Sequence, residues 1–196
     1  VISGGAGNDR LVGGRGSDRL DGGVGFDIAF YLGLARQYGL VGSADGMTRI
    51  SGGPEGGTDS LIALEQATFL DGIVTFDADS LAAQLMRLYD TALDRAPDLS
   101  GFEYLLSQLQ DGAVSLAGLA ASFFASQEFQ DRFGALTDRQ FVEQLYRFAL
   151  DREGDVPGIQ TWVDALNGGG LSRAQVLLEF SESEEHRGLT AETLAR

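Results

Sequence analysis

Three consecutive nonapeptides decide the fold of this chain: GGAGNDRLV (Gly4 to Val12), GGRGSDRLD (Gly13 to Asp21) and GGVGFDIAF (Gly22 to Phe30). Each fits G-G-x-G-x-D-x-U-x, where U is apolar. Glycines at positions one, two and four allow positive φ angles and tight turning, so that backbone carbonyls converge on one point. The Asp at position six adds a hard carboxylate oxygen. A stack of such turns supplies the all-oxygen surroundings that calcium takes, with six to eight ligands at about 2.3–2.6 Å. Between turns, x-U-x predicts a three-residue strand whose central side chain, Leu11, Leu20 or Ala29, points inward. The expected architecture of this half is all-β: a flattened parallel roll of short strands with ions along its edges.

The repeats resemble the RTX, or haemolysin-type calcium-binding, family, and the likeness extends over the first 77 residues. It implies that two nonapeptides make one coil and that each ion lies between repeat n and repeat n+2. On that basis Asp9 and Asp27 would hold calcium through carboxylates, with carbonyls of Gly4, Ala6, Gly23 and Gly25. The middle repeat offers Gly13, Arg15 and Asp18 and needs a partner before Gly4 or after Phe30. Ile2 precedes Gly4 as Leu11 precedes Gly13, so Val1-Ile2-Ser3 reads as the tail of an earlier repeat, and the chain as part of a longer array.

After Phe30 the repeats degenerate into a strand-rich closing segment. Strands are expected at 28–32, 38–41, 47–51, 67–70 and 73–76, separated by turns at Ser43-Ala44-Asp45-Gly46, Gly52-Gly53-Pro54 and Asp71-Gly72. The stretch GGTDSLIALEQATFLDG (Gly56 to Gly72) resembles the segment that often follows RTX repeats. Asp59 is either a further calcium ligand or a cap on the turn into Leu61.

Composition divides the chain in two. Seventeen of its 28 glycines lie at or before Gly57, whereas the pattern beyond Asp77 is helical, giving domains at 1–77 and 78–196. With no cysteine, calcium takes the stapling role that disulfides play in other small extracellular folds. The net charge is −15, and all 14 basic residues are Arg, scattered rather than gathered into a patch. That excludes a nucleic-acid partner, which needs clustered cations to displace counterions from phosphate. No apolar run approaches the ~18 residues that span a bilayer.

The second half carries an internal repeat. LYDTALDRAPDLSGFEYL (Leu88 to Leu105) aligns without a gap, 57 residues on, with LYRFALDREGDVPGIQTW (Leu145 to Trp162). Two units, 81–136 and 138–193, are expected to form an all-α bundle of about six helices. Thr137 with Gln140 and Ser172 with Gln175 read as capping boxes, and Gly112 and Gly168-Gly169-Gly170 as helix ends. This half resembles a bacterial domain of unknown function related to phycobilisome linker domains, although Leu105 stands in the first unit where Trp162 stands in the second.

The polar residues of this half read as structural. Asp98 and Asp155 sit at N-cap positions, with Arg95 and Arg152 as braces, rather than in a second class of calcium loop. Glu128 and Glu185 read as capping partners of Ser126 and Ser183, and the acids from Glu179 to Glu185 as a hydrated face. His186, the single histidine, reads as solvated at a charged helix end. Trp162, Tyr104, Phe102 and Tyr146 read as core rather than as a sugar-stacking platform. No catalytic motif is present, so no enzymatic activity is expected of this chain.

The resemblance implies a calcium-binding module of a type I secreted or surface-associated protein of a Gram-negative bacterium. Its partners would be calcium ions, the secretion machinery and an extracellular protein or polysaccharide. The alternative is an accessory module of a secreted enzyme whose catalytic domain lies upstream.

Overall fold

The computed structural model describes residues 1–42, 47–95 and 97–194. They form two compact units, Val1–Ser80 and Leu81–Thr190, each with its own core. The expected turn at Ser43-Ala44-Asp45-Gly46 lies outside the described residues.

The first unit contains nine strands among the described residues: β1 (Ile2–Ala6), β2 (Arg10–Leu11), β3 (Arg19–Val24), β4 (Ile28–Phe30), β5 (Tyr38–Gly42), β6 (Thr48–Gly52), β7 (Thr58–Ile62), β8 (Gln66–Phe69) and β9 (Gly72–Thr75). The strands fall into two sheets, ordered β1-β3-β7-β6-β5 and β2-β4-β8-β9, with β1 to β4 alternating between them. The pairs β1/β3, β3/β7, β2/β4 and β4/β8 are parallel, as a spiral requires. The pairs β5/β6, β6/β7 and β8/β9 are antiparallel and end it.

Register explains the repeat spacing. Ile2, Leu20 and Leu61 are stacked neighbours in the first sheet, and Leu11, Ala29 and Ala67 in the second. Leu11, Leu20, Ala29, Leu61 and Ala67 are buried. A fully buried Leu stabilises by about 1.5–3 kcal/mol, so two thin ladders alone make a meagre core. The rest comes from the closing segment, where Tyr31, Tyr38 and Phe69 meet ring to ring at centroid distances of 5.2–5.4 Å beside Ile50 and Leu64.

Two expectations for this unit change. The strands are not uniformly three residues long: β2 has two, and β3 continues through Gly22 and Gly23 to Val24, because Gly5↔Gly23 and Ala6↔Val24 extend the ladder into the turn. Residues 58–62, which are not among the expected strands, form β7, held between parallel β3 and antiparallel β6.

The second unit is all-α. Its helices are α1 (Leu81–Leu93), α2 (Leu99–Gln110), α3 (Leu116–Ala125), α4 (Gln127–Phe133), α5 (Asp138–Leu150), α6 (Val156–Asn167), α7 (Arg173–Ser181) and α8 (Glu184–Leu194). That is eight rather than about six among the described residues, because Ser126 stops α3 and caps α4 at once, accepting from the Phe129 amide at 3.2 Å, and Ser183, between α7 and α8, accepts from the His186 amide at 3.2 Å. The starts at Leu81, Leu99, Leu116 and Gln127 are followed at one common interval by Asp138, Val156, Arg173 and Glu184. Asp98 and Asp155 cap α2 and α6 through the amides of Gly101 and Gly158, at 2.8 and 2.6 Å. Helix α1 packs on α2, α3, α5 and α7 around Leu85, Leu88, Phe102, Phe129, Phe133, Phe141 and Leu177.

Several polar residues of this unit do other work than expected. Glu128 and Glu185 do not serve Ser126 and Ser183; each takes a two-pronged bond from Arg95 or Arg152, at 2.6–2.9 Å. Glu182 is no hydrated surface acid, since it pairs at 3.0 and 2.6 Å with Arg87, whose side chain is only 3% exposed. His186 is buried rather than solvated. At the third position of α8 its ring turns inward, with Nδ1 3.0 Å from the Ser181 carbonyl and Nε2 3.1 Å from Asp90 Oδ2. Tyr104 lies on the outer side of α2 and is 64% exposed, unlike Phe102 and Tyr146, which are core.

Candidate metal centre

The candidate ligands sit where strands meet turns. Gly4 and Ala6 lie in β1 and Gly23 in β3, while Gly25, Asp9 and Asp27 belong to the turns that lead into β2 and β4. Parallel stacking places Asp27 one coil above Asp9, and the Asp9 amide donates to Asp27 Oδ1 at 2.8 Å. The same rung recurs above, where the Asp27 amide donates to Glu65 Oε2 at 2.7 Å. Beside it, Asn8 Oδ1 accepts from the Phe26 amide at 3.0 Å. Asp27 and Glu65 therefore each spend one carboxylate oxygen on the coil below.

The second oxygens carry the chemistry. Asp9 Oδ2 and Asp27 Oδ2 are buried with no protein hydrogen-bond partner, and Asp27 has no exposed surface. A buried carboxylate oxygen left without a donor is costly. A cation removes that cost. Asp9 and Asp27 hold the same place in successive coils, and equivalent atoms of parallel neighbours lie about 4.8 Å apart. That is about twice a calcium–oxygen distance. Gly4 completes the cradle: a Cβ there would stand 2.7 Å from Asp9 Oδ2 and 2.7 Å from the Gly22 carbonyl. Any side chain at Gly4 would fill the space that Asp9 Oδ2 and the Gly22 carbonyl face.

The second edge is built from Gly13, Arg15, Asp18 and Asp59. The partner that the middle repeat needs comes after Phe30: the Asp18 amide donates to Asp59 Oδ1 at 2.8 Å, the same rung as Asp9 to Asp27. A Cβ at Gly13 would lie 3.2 Å from Asp59 Oδ2 and 3.4 Å from Asp18 Oδ2. Asp59 thus stands neither as a turn cap nor beside Asp9 and Asp27. Here a phenol intervenes, because the Tyr31 hydroxyl donates to Asp59 Oδ2 at 3.0 Å. Burial first, then the Asp59 charge, pushes the Tyr31 hydroxyl well above the usual phenol range, so it remains a donor. Tyr38 donates to Glu55 Oε2 at 3.2 Å and is likewise pushed up to about 12 by burial and by Glu55.

Sequence reasoning missed Tyr31, Glu55 and Glu65. The available signal was Gly57-Thr58-Asp59-Ser60-Leu61, which keeps the G-x-D-x-U half of the nonapeptide. Among the described residues no group of three or more His, Cys, Asp and Glu side chains is placed to hold a metal. A site at Asp9 and Asp27 therefore depends on main-chain carbonyls for its remaining ligands.

Residues 1–29 match the family model of the RTX calcium-binding nonapeptide repeat (4 copies). Residues 120–190 match that of a domain of unknown function, DUF4214. No curated protein matches the chain. The repeat match falls on the strands and turns that bring Asp9 and Asp27 together, and the other lies within the helices. No helix among the described residues is long and apolar enough to cross a membrane.

Proposed function

We propose that this chain is a calcium-folded binding module of a secreted bacterial protein. The observation that carries this reading is the pair of buried, partnerless carboxylate oxygens of Asp9 and Asp27. Asp9 and Asp27 would hold the ion, with the carbonyls of Gly4, Ala6, Gly23 and Gly25 as further ligands. Bound calcium would supply charge neutralisation and crosslinking of two coils. The chain's own residues do the rest: the amide rungs set the spacing of the carboxylates, and the glycines let the coils approach. Without calcium the glycine-rich coils have little apolar burial to set against ordering entropy. In a calcium-poor cytosol they stay open, a state suited to passage through a type I secretion channel. Extracellular calcium, at dissociation constants of about 10⁻⁴–10⁻³ M, then closes them.

The helical unit acts by binding rather than by catalysis. The common interval between its helix starts, with Arg95–Glu128 mirrored by Arg152–Glu185, supports two copies of a 57-residue unit. Such a bundle presents a folded surface for an extracellular protein or polysaccharide, or for adhesion. The test is far-ultraviolet circular dichroism of the metal-stripped chain. Calcium should add β signal while the helical signal stays constant, and magnesium should not substitute; a β signal indifferent to calcium overturns the reading.

A further inference from the structure

The two edges of the roll are built from the same rung but finished differently. On the first edge, Asp9 Oδ2 and Asp27 Oδ2 have no partner. On the second, Asp59 Oδ1 accepts from the Asp18 amide and Asp59 Oδ2 from the Tyr31 hydroxyl, so both oxygens are engaged. The backbone differs in the same sense. Counting back from the Asp, Glu55 and Gly57 stand where Gly23 and Gly25 stand in the third repeat. The Glu55 carbonyl accepts from the Gly16 amide at 3.4 Å, and the Gly57 carbonyl from the Gly52 amide at 3.1 Å. On the first edge the corresponding bond from the Gly7 amide goes to Val24, one residue off the Gly23 position, at 2.9 Å. The closing segment has therefore committed Asp59 and the Glu55 and Gly57 carbonyls, its own share of the oxygens that the repeat pattern would turn toward an ion. Above the third turn Leu61, Ala63 and Glu65 stand where the third repeat has Gly23, Gly25 and Asp27, so the Gly-x-Gly-x-Asp of the first edge is not repeated there.

We propose that the roll takes one calcium ion, between its first and third turns, and that on the opposite edge the Tyr31 hydroxyl and the Gly16 and Gly52 amides stand in for a metal as a clasp. This rests on the calcium reading above. Asp18 and Asp59 are then structural residues of the roll, and Asp9 and Asp27 are its ligands. The ion governs the first two coils, while the closing segment is locked without it.

Calorimetric titration of the metal-stripped 196-residue chain with calcium chloride tests this, alongside Asp27→Asn and Asp18→Asn variants checked for folding by circular dichroism. One site in the wild type is expected, abolished by Asp27→Asn and retained in Asp18→Asn. Two or more wild-type sites overturn the proposal, as does a single site lost in folded Asp18→Asn but kept in Asp27→Asn. No binding to the wild type would overturn the calcium reading itself, a separate outcome.

Discussion

Replacing Asp27 by Asn should abolish the roll's response to calcium and reverse the order of stability in chelator. Asp27 is wholly buried, its Oδ1 accepts the Asp9 amide at 2.8 Å, and its Oδ2 has no protein partner. Asn keeps the shape and the accepting oxygen, so the rung survives, but it replaces the ion-facing carboxylate oxygen by an NH₂ group. At calcium a hundredfold above its dissociation constant the wild type gains about 2.7 kcal/mol. For a unit of this size that is a rise in midpoint of about 10–20 °C. The variant gains nothing. In chelator the order reverses, because an uncompensated buried charge costs several kcal/mol and an unsatisfied amide only about 1–3. Thermal unfolding followed by far-ultraviolet circular dichroism, with and without calcium, reads both signs. An equal calcium-induced rise in Asp27→Asn and wild type refutes the assignment of Asp27 as a ligand.

Other consequences are as direct. Gly5 and Gly23 share a φ near +100°, but a Cβ at Gly5 meets nothing within 4 Å while one at Gly23 lies 2.1 Å from the Gly5 carbonyl. Gly5→Ala should cost about 1–2 kcal/mol of left-handed strain and Gly23→Ala clearly more by urea unfolding in calcium; equal costs would sink the account of coil contact. Glu182→Ala should destabilise the helical unit by about 3–5 kcal/mol, the penalty for removing one partner of a buried pair, whereas Glu153→Ala, at the exposed Arg147 pair, should cost under about 1 kcal/mol. Hydrogen bonds from Arg95 and Arg152 hold Glu128 and Glu185 below the usual glutamate range. Such groups add stability above the unfolded-chain value and lose it as pH falls through the lowered one. The helical unit should therefore weaken in acid, and carboxyl NMR should find both titrating below exposed glutamates; titration at the ordinary value would remove the pairs from the account.

What could be read from the sequence was what is local. The Asp9 and Asp27 turns are spelled by residues within one nonapeptide each, and their meeting follows from an 18-residue period. The caps Asp98, Asp155, Thr137 and Ser172 were legible because a cap and its target amide lie three residues apart. What escaped was decided by tertiary placement. Asp59 reaches Asp18 only after an excursion that has no repeat spacing. His186 sits in a run of charges that reads as surface, yet α1 supplies Asp90 and Thr91 to receive its ring. Glu128 was assigned to its near neighbour Ser126, when its partner Arg95 lies 33 residues away.

The two rungs also differ in when they can form. The first joins residues 18 apart and the second residues 41 apart. Closing the longer loop costs only about 0.7 kcal/mol more in chain entropy, so the distinction is one of order rather than of stability. The ion-holding pair draws on a stretch of chain less than half as long as the one that brings Asp59 back to Asp18. The first edge thus waits on an ion to close a short loop, whereas the clasp waits only on the closing segment to fold back over a long one.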